Sequence, residues 1–323
     1  MRIMVQGGAG FVGSVLVPML QELGHDVAVV DQCWFGNHLP QGTNLVVKDL
    51  FDLHVEDMKG FDQAIFLGGL SNDPMAEYSP AKNFVLNAAL PSYLAFIAKQ
   101  ARVRRFIYAS SCSVYGYTAN ELYDEESPLT CATPYGISKL QGERGVLQLG
   151  DEHFSVIALR QGTVCGHSPR MRFDLIINTM FKCAITEGKL IINNPNIWRP
   201  ILDVRDVAAA FVQAVGADRA VNGSFNVAFD NFTVGQIGGL VRDELKRLHG
   251  RTIEVEVRNV QDFRNYKVSC DKARTCLGFR PRYTVQDIVQ SLYDHLGDYG
   301  DFTDDAFYNI NTFKRMDQPE IVR

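Results

Sequence analysis

The sequence contains no Cys-x-x-Cys pair. Its seven cysteines, at positions 33, 112, 131, 165, 183, 270 and 276, are odd in number and scattered, which indicates neither a disulfide framework nor a zinc site. The seven histidines show no pairing at metal-ligand spacing, so no metal is expected. No apolar run is long enough to span a bilayer, and the opening run Arg2-Ile3-Met4-Val5 reads as a strand rather than a signal peptide. A cytoplasmic protein without a membrane partner is the expectation. A basic stripe is also missing: 32 Lys and Arg stand against 37 Asp and Glu, a net charge of −5 spread along the chain, which argues against nucleic acid. What remains is ordinary globular composition, 46% hydrophobic and 21% charged, in 323 residues that suit one large domain or two lobes.

The first half has a clear grammar. Arg2 to Gln6 reads as a short buried strand, Gly7-Gly8-Ala9-Gly10-Phe11-Val12-Gly13 as a glycine turn, and Ser14 to Leu23 as a helix. A second strand from Asp26 to Val30 ends at Asp31, about 18 residues after the last glycine of the turn. Glycines permit a tight turn and close backbone approach to a pyrophosphate at a helix N-terminus, and a carboxylate at this distance accepts bonds from an adenosine ribose. Gly7, Gly10, Gly13 and Asp31 are therefore assigned to a dinucleotide. The loop Gln32 to Asn37 holds no Arg or Lys for a 2′-phosphate, which favours NAD over NADP; Asn37 is placed among the cofactor contacts.

Leu45 to Val47 is expected as a third strand, with Asp49 and Leu50 near the adenine, although Asp49 reads equally well as a turn acid. Gln63 to Leu67 is a fourth strand, after which Gly68 and Gly69 let the chain pass close to the cofactor. Pro80 to Ala101 reads as one long helix, and Arg104 to Ala109 as a fifth strand. Strands alternating with helices imply a doubly wound parallel sheet of Rossmann type, with ligands at the carboxyl ends of its strands.

Ser111 falls at such an end. Tyr135 and Lys139, four residues apart, share one face of a helix that can begin at Pro134. An ammonium beside a phenol favours the phenolate, so Tyr135 can take a proton, and the Ser111 hydroxyl can share the bond to the reacting oxygen. The Tyr-x-x-x-Lys spacing by itself is equally an ordinary helix start; its location with Gly7, Gly68 and Ser111 is what singles it out.

Taken together, Gly7-x-x-Gly10-x-x-Gly13, Asp31, Asp49, Asn87, Ser110-Ser111-Cys112-Ser113-Val114-Tyr115-Gly116, Tyr135-x-x-x-Lys139, the run Arg160 to Gly166, the run Arg199 to Val207, Asn226-Val227 and Leu277-Gly278-Phe279 resemble the extended short-chain dehydrogenase/reductase superfamily, in its NAD-dependent nucleotide-sugar epimerase/dehydratase branch. The resemblance runs from residue 2 to about 297. It implies that Ser111, Tyr135 and Lys139 are catalytic, that Tyr135 is the acid/base on a sugar hydroxyl, usually at C4, and that Lys139 also holds the nicotinamide ribose. It places Gly10, Phe11 and Val12 at the pyrophosphate of the cofactor, adds Asn87 to the cofactor contacts and implies a homodimer through helices at about 81–101 and 133–149. The 4,6-dehydratases of this branch carry Thr-Asp-Glu where this chain has Ser111, Cys112 and Ser113, so dehydration lacks its evident acid and base. Related enzymes place a cysteine one residue later than Cys112; Cys112 is either a catalytic group that reaches a substrate carbon or a small residue packed behind Ser111.

In the second half the alternation loosens. A Rossmann domain over 1–166 and 201–227 is expected, a substrate lobe over 167–200 and 228–297, and a tail from 298 to 323 that either packs across a partner subunit or frays. The lobe is expected to hold a nucleotide-diphosphate sugar. Arginines bind a diphosphate with forked geometry, and the candidates are Arg199 and Arg264, by resemblance, and Arg172, from the local run. Asn72, Ser111, Cys112, Ser113 and Asn178 complete the substrate candidates. The expected function is NAD-dependent oxidation of the sugar at C4 with return of the hydride, that is, 4-epimerisation. A C4 dehydrogenase or 4-ketoreductase is the alternative; a 3,5-epimerase, a dehydratase or a non-catalytic NAD sensor ranks below both.

Overall fold

The computed structural model describes residues 1–250, 252–260 and 264–317. Among the described residues there are fourteen strands: β1 (Arg2–Gln6), β2 (Asp26–Asp31), β3 (Asn44–Val47), β4 (Gln63–Phe66), β5 (Arg105–Ser111), β6 (Tyr117–Tyr123), β7 (Ser155–Gln161), β8 (Thr163–Cys165), β9 (Lys189–Asn193), β10 (Trp198–Asp203), β11 (Gly223–Val227), β12 (Asp230–Thr233), β13 (Glu254–Arg258) and β14 (Asn265–Val268). Seven of them form one sheet in the order β11-β7-β5-β4-β1-β2-β3, and every pairing in it is parallel.

A parallel sheet needs cover on both faces, and the two-residue side-chain period supplies it. Ile3, Val5, Val27, Val29, Ile65, Ile107, Ile157 and Leu159 point to one face, where they bury the apolar sides of helices Gly13–Glu22 and Val204–Gly216. Met4, Val30, Ala64, Phe66, Phe106, Tyr108, Val156 and Ala158 point to the other, under helix Leu90–Gln100. The chain runs outward through β1, β2 and β3, then returns to lay β4 on the opposite side of β1. That reversal opens a crevice between the carboxyl ends of β1 and β4, where ligands bind in open sheets of this kind.

The smaller lobe is built from helices Ile176–Glu187, Val234–His249 and Val285–Asp294, with β8, β10 and β12 as a three-stranded sheet and β9 paired with β13. Its core is a separate cluster around Phe173, Phe181, Ile201, Val241 and Leu292. The chain differs from the expected division in two places. Strand β6, from the stretch assigned to the first domain, pairs with β14 of the lobe, so residues 117–123 are held by the second half. The segment from 298 is neither splayed nor frayed as far as Asp317: Tyr299 is buried, Phe302, Phe307 and Tyr308 pack on the lobe core, and a helix runs from Asn309 to Asp317. Aromatic side chains outweigh the acidic ones around them because burying each ring removes a large apolar area from water.

The long helix expected over 80–101 is three pieces: Pro80–Phe84, a π-turn at Val85–Ala89, and Leu90–Gln100. The π-turn centres on Asn87, fully buried, whose amide donates to the Leu70 carbonyl (2.9 Å) and to Asn83 Oδ1 (2.7 Å). Among the described residues no helix is long and apolar enough to cross a membrane.

Candidate active site

A cleft of about 880 Å³ lies between the sheet and the lobe. Gly7, Gly10, Phe11, Val12, Gly13, Asp31, Asp49, Leu50, Leu67, Gly68 and Gly69 line one part of it; Asn72, Ser111, Ser113, Tyr135, Lys139, Arg172, Arg199 and Arg264 line the rest. The structure therefore brings most of the candidates into one cavity.

At the cofactor end, the glycine turn is forced to be glycine. Gly7 has φ +78°, and a Cβ there would sit 2.5 Å from the Gly68 nitrogen; a Cβ on Gly13 would sit 2.2 Å from the Gly8 carbonyl oxygen. The turn thus presses against the end of β4 and leaves bare backbone at the start of helix Gly13–Glu22. Asp31 closes β2, accepting from Ala9 N–H (2.9 Å) and Cys33 N–H (2.7 Å). Burial raises its pKa despite those bonds, so a hydroxyl donor arriving from a ribose would be a favourable partner for the carboxylate. A cradle that any Cβ would fill, facing a carboxylate at a strand end, fits an adenine dinucleotide.

At the chemical end, helix Pro134–Leu147 is started by Thr133, whose hydroxyl accepts from Gly136 N–H (3.2 Å), with Pro134 in the first turn. Tyr135 and Lys139 share its inner face, the lysine Nζ lying 5.8 Å from the Tyr135 ring centre and 5.4 Å from that of Tyr108. Lys139 Nζ donates to the Ala109 carbonyl at 3.1 Å. Burial pulls the Lys139 ammonium down to about 8. Burial, and then the Asp73 carboxylate, push the Tyr135 phenol well above its ordinary value, while a hydrogen bond with Ser111 works in the opposite direction. The Ser111 hydroxyl also stands 2.9 Å from that of Ser113. Two turns along the same helix, Glu143 accepts from Arg160 Nη2 (2.6 Å), Ser110 (2.5 Å) and Ser224 (2.8 Å), which fixes the helix to the ends of β5, β7 and β11.

At the lobe end, Arg172 makes a forked pair with Asp174 (2.8 and 2.9 Å), and Asn72 donates to the same carboxylate at 2.9 Å. Burial works to raise Asp174, but the Arg172 cation outweighs it and holds the carboxyl below its usual range. Arg264 pairs with Asp73 at 2.8 Å, and Arg199 donates to the Arg264 carbonyl and stands 5.7 Å over the Tyr266 ring. The cleft therefore presents three arginines to an anion, and the Arg172–Asp174 and Arg264–Asp73 pairs are contacts that an anionic ligand would displace.

Four candidates stand elsewhere. Asn37 is exposed in its loop and accepts from Leu39 N–H at 3.0 Å, capping a local turn. Asn87 lies behind the cleft, where its Oδ1 would be 2.1 Å from a Cβ on Gly69, and its Nδ2 holds the loop after β4 through the Leu70 carbonyl. Cys112 is buried with its thiol donating to the Arg160 carbonyl at 3.1 Å, and burial pushes its pKa well up, so it packs behind Ser111 and offers no base. Asn178 is fully buried and bonds Gly166 N–H, Gly166 C=O and the Arg172 carbonyl, so it holds the loop that carries Arg172. Conversely, Asp73, Arg170, Asp174, Tyr266 and Asn309 line the cleft and were not singled out. Asp73 and Asp174 read as turn acids, and only the fold brings residues 170 and 309 to the cofactor end.

A Rossmann sheet with a dinucleotide cradle and a Tyr/Lys/Ser group at its strand ends defines an NAD-dependent enzyme of the short-chain dehydrogenase/reductase type. The chain belongs to the NAD dependent epimerase/dehydratase family, whose model matches residues 3–228. It is 24% identical over 329 residues to the UDP-glucose 4-epimerase of Lactobacillus helveticus, covering 91% of this chain and 96% of that one. It is 25% identical to the UDP-glucose 4-epimerase of Neisseria meningitidis serogroup C, covering 91% and 95%. Among solved structures, MoeE5 in complex with UDP-glucuronic acid and NAD superposes with a TM-score of 0.81 at 25% identity, over 92% of this chain and 99% of that one. The NDP-hexosamine 5,6-dehydratase TunA has the same fold, with a TM-score of 0.82 at 20% identity over 94% and 99%.

Proposed function

We propose that this enzyme inverts a nucleotide-diphosphate sugar at C4. NAD supplies the hydride acceptor and, on return, the hydride donor. Tyr135 takes the proton of the C4 hydroxyl and gives it back, Ser111 holds the oxygen during the transfer, and Lys139 electrostatically favours the phenolate and holds the nicotinamide ribose. Arg199 and Arg264, with Arg172 nearby, grip the diphosphate. The observation that carries the reading is the convergence of Tyr135, Lys139 and Ser111 in one cleft between the glycine turn and the arginines.

Inversion by oxidation and reduction needs no further acid or base. That suits a cleft in which the run 111–113 supplies no carboxylate, the Cys112 thiol faces away, and Asp73 and Asp174 are committed to arginines. UDP-sugars are the class to test first, since the named relatives act on or bind them. A homodimer accompanies this reading: Phe84, Val85, Phe96 and Ile137 are exposed on the helices flanking the sheet, apolar area that a second copy would cover.

The test is incubation with UDP-glucose, UDP-glucuronic acid and UDP-N-acetylglucosamine in D2O, with NAD present. The expected product is an isomer without deuterium and without accumulating NADH. Tyr135→Phe should slow turnover by roughly 10²–10⁴-fold while still binding NAD. A product lighter by two hydrogens with stoichiometric NADH would establish a dehydrogenase instead, and loss of water a dehydratase.

A further inference from the structure

Residues 309–317 stand outside every motif used above, yet they reach the cofactor end of the cleft. Asn309 and Ile310 line it together with Asp31, Phe35 and Arg170. Asn309 is 6% exposed and uses both ends of its amide: Nδ2 donates to Ser71 Oγ at 2.7 Å, and Oδ1 accepts from Arg170 Nη2 at 2.5 Å. One side chain thereby ties the loop after β4 to the lobe across the opening of the dinucleotide site.

Arg170 is itself unusual. It is 1% exposed, its Nε and Nη1 have no hydrogen-bond partner, and its guanidinium lies 3.7 Å from the centre of the Phe35 ring in the loop after β2. A buried guanidinium with one bonded nitrogen of three is costly, and Asn309 is the group that holds it.

One turn further, Phe313 is 3% exposed in a cluster with Leu70 and Met75. It stacks on Trp34 at 6.1 Å and meets Tyr78 edge-on at 5.8 Å, so the helix joins the loop after β2 to helix Asp73–Tyr78. At the far end Asp317 pairs with Lys82.

We propose that Asn309–Asp317 is a strap that forms one wall of the dinucleotide site, and that Asn309 and Phe313 set the rate at which NAD leaves. The loops after β2 and β4 flank the cofactor end, and the strap joins them, so the dinucleotide cannot depart without breaking the Asn309 bridge or unstacking Phe313 from Trp34. Resting on the 4-epimerase reading, this gives the enzyme a reason for such a wall: the reduced cofactor has to stay in place until the hydride is returned.

The experiment uses the full chain loaded with NADH, mixed rapidly with excess NAD, following the loss of nicotinamide fluorescence. Asn309→Ala and Phe313→Ala should release NADH at least tenfold faster than the wild type. Phe313→Leu, which keeps an apolar plug, should stay within about threefold. Lys82→Glu, a surface change that repels Asp317 and removes a cation 5.9 Å from the Phe313 ring centre, should raise the release rate severalfold while the melting temperature without cofactor is unchanged. Release rates in Asn309→Ala, Phe313→Ala and Lys82→Glu equal to that of the wild type would overturn the strap. A wild type that binds no NADH would overturn the dinucleotide site itself. Rapid release with normal C4 inversion would leave the epimerase reading standing and remove its supposed reason for the strap.

Discussion

Lys139 Nζ donates to the Ala109 carbonyl at 3.1 Å and lies 5.8 Å from the ring of Tyr135, and among the described residues no carboxylate is bonded to it. A buried ammonium with one hydrogen bond and two aromatic faces is a costly group to keep, and burial lowers its pKa to about 8. The unfolded lysine titrates near 10.4, so between about pH 8 and 10.4 the unfolded chain holds more protons than the folded one. Stability from this group is therefore lowest below about pH 8 and rises from there to about 10.4.

Lys139→Met should accordingly stabilise the cofactor-free protein at pH 7, by at most roughly 3 kcal/mol, the value of the shift. The advantage should shrink as the pH rises from 8 toward 10. The same variant should lose most of its turnover, because the Tyr135 phenol loses its cation. Denaturant titrations at pH 7 and pH 10 check the first part; a variant less stable than wild type at pH 7 would contradict it.

Glu143 and Arg160 form a second test of how the active helix is held. Their side chains are 2% and 4% exposed, and Glu143 also accepts from Ser110 and Ser224. Removing one member of a buried ion pair strands the other, at roughly 3–5 kcal/mol. Glu143→Ala should cost about that much in urea unfolding, whereas Glu143→Gln, which can keep the serine bonds, should cost less. A loss below about 1 kcal/mol in the alanine variant would mean the helix is anchored elsewhere.

The sequence was most legible where one physical rule acts locally. Short continuous apolar runs and the glycine turn placed β1, β2, β4 and β5, and Asp31 fell at the end of β2, because burial on both faces leaves a strong pattern. Strand β6 stayed hidden because Tyr117 to Tyr123 carries polar residues and owes its pairing to β14, more than 140 residues away in the chain. The π-turn at Asn87, which brings its amide to the loop at Leu70, stayed hidden because residues 80–101 carry one unbroken helical pattern. Arg170 and Asn309 meet across 139 positions, a separation that no local pattern reports.

The His167 and His295 rings stack at 3.6 Å, 9° from parallel, and His167 Nδ1 stands 3.1 Å from the Tyr299 hydroxyl. Burial, and then His295, hold His167 down to about 4. An unfolded histidine takes its proton near 6.5, so between about 6.5 and 4 the unfolded chain binds the extra proton. Stability should fall as the pH drops through that window and level off below it. His167→Gln removes this part of the response, so its denaturation midpoint should drop less between pH 7 and pH 5 than that of the wild type. Parallel drops in both proteins would rule the pair out as an acid-sensitive contact.

Asp73 tests the chemistry of Tyr135 most directly. After burial, its carboxylate is the next cause that raises the phenol, and its Oδ2 accepts from Arg264 at 2.8 Å. Asp73→Asn removes the charge yet leaves an oxygen that can still accept from Arg264. On the proposed mechanism, the limb of kcat/KM that reports Tyr135 ionisation should move to lower pH in this variant, because a phenolate no longer faces a like charge. Arg264→Gln should behave differently, raising KM for the nucleotide sugar with the limb in place, since the task proposed for it is to grip the diphosphate. If Asp73→Asn raises KM and leaves the limb where it was, Asp73 acts on the substrate through Arg264 alone, and the height of the Tyr135 phenol belongs to burial.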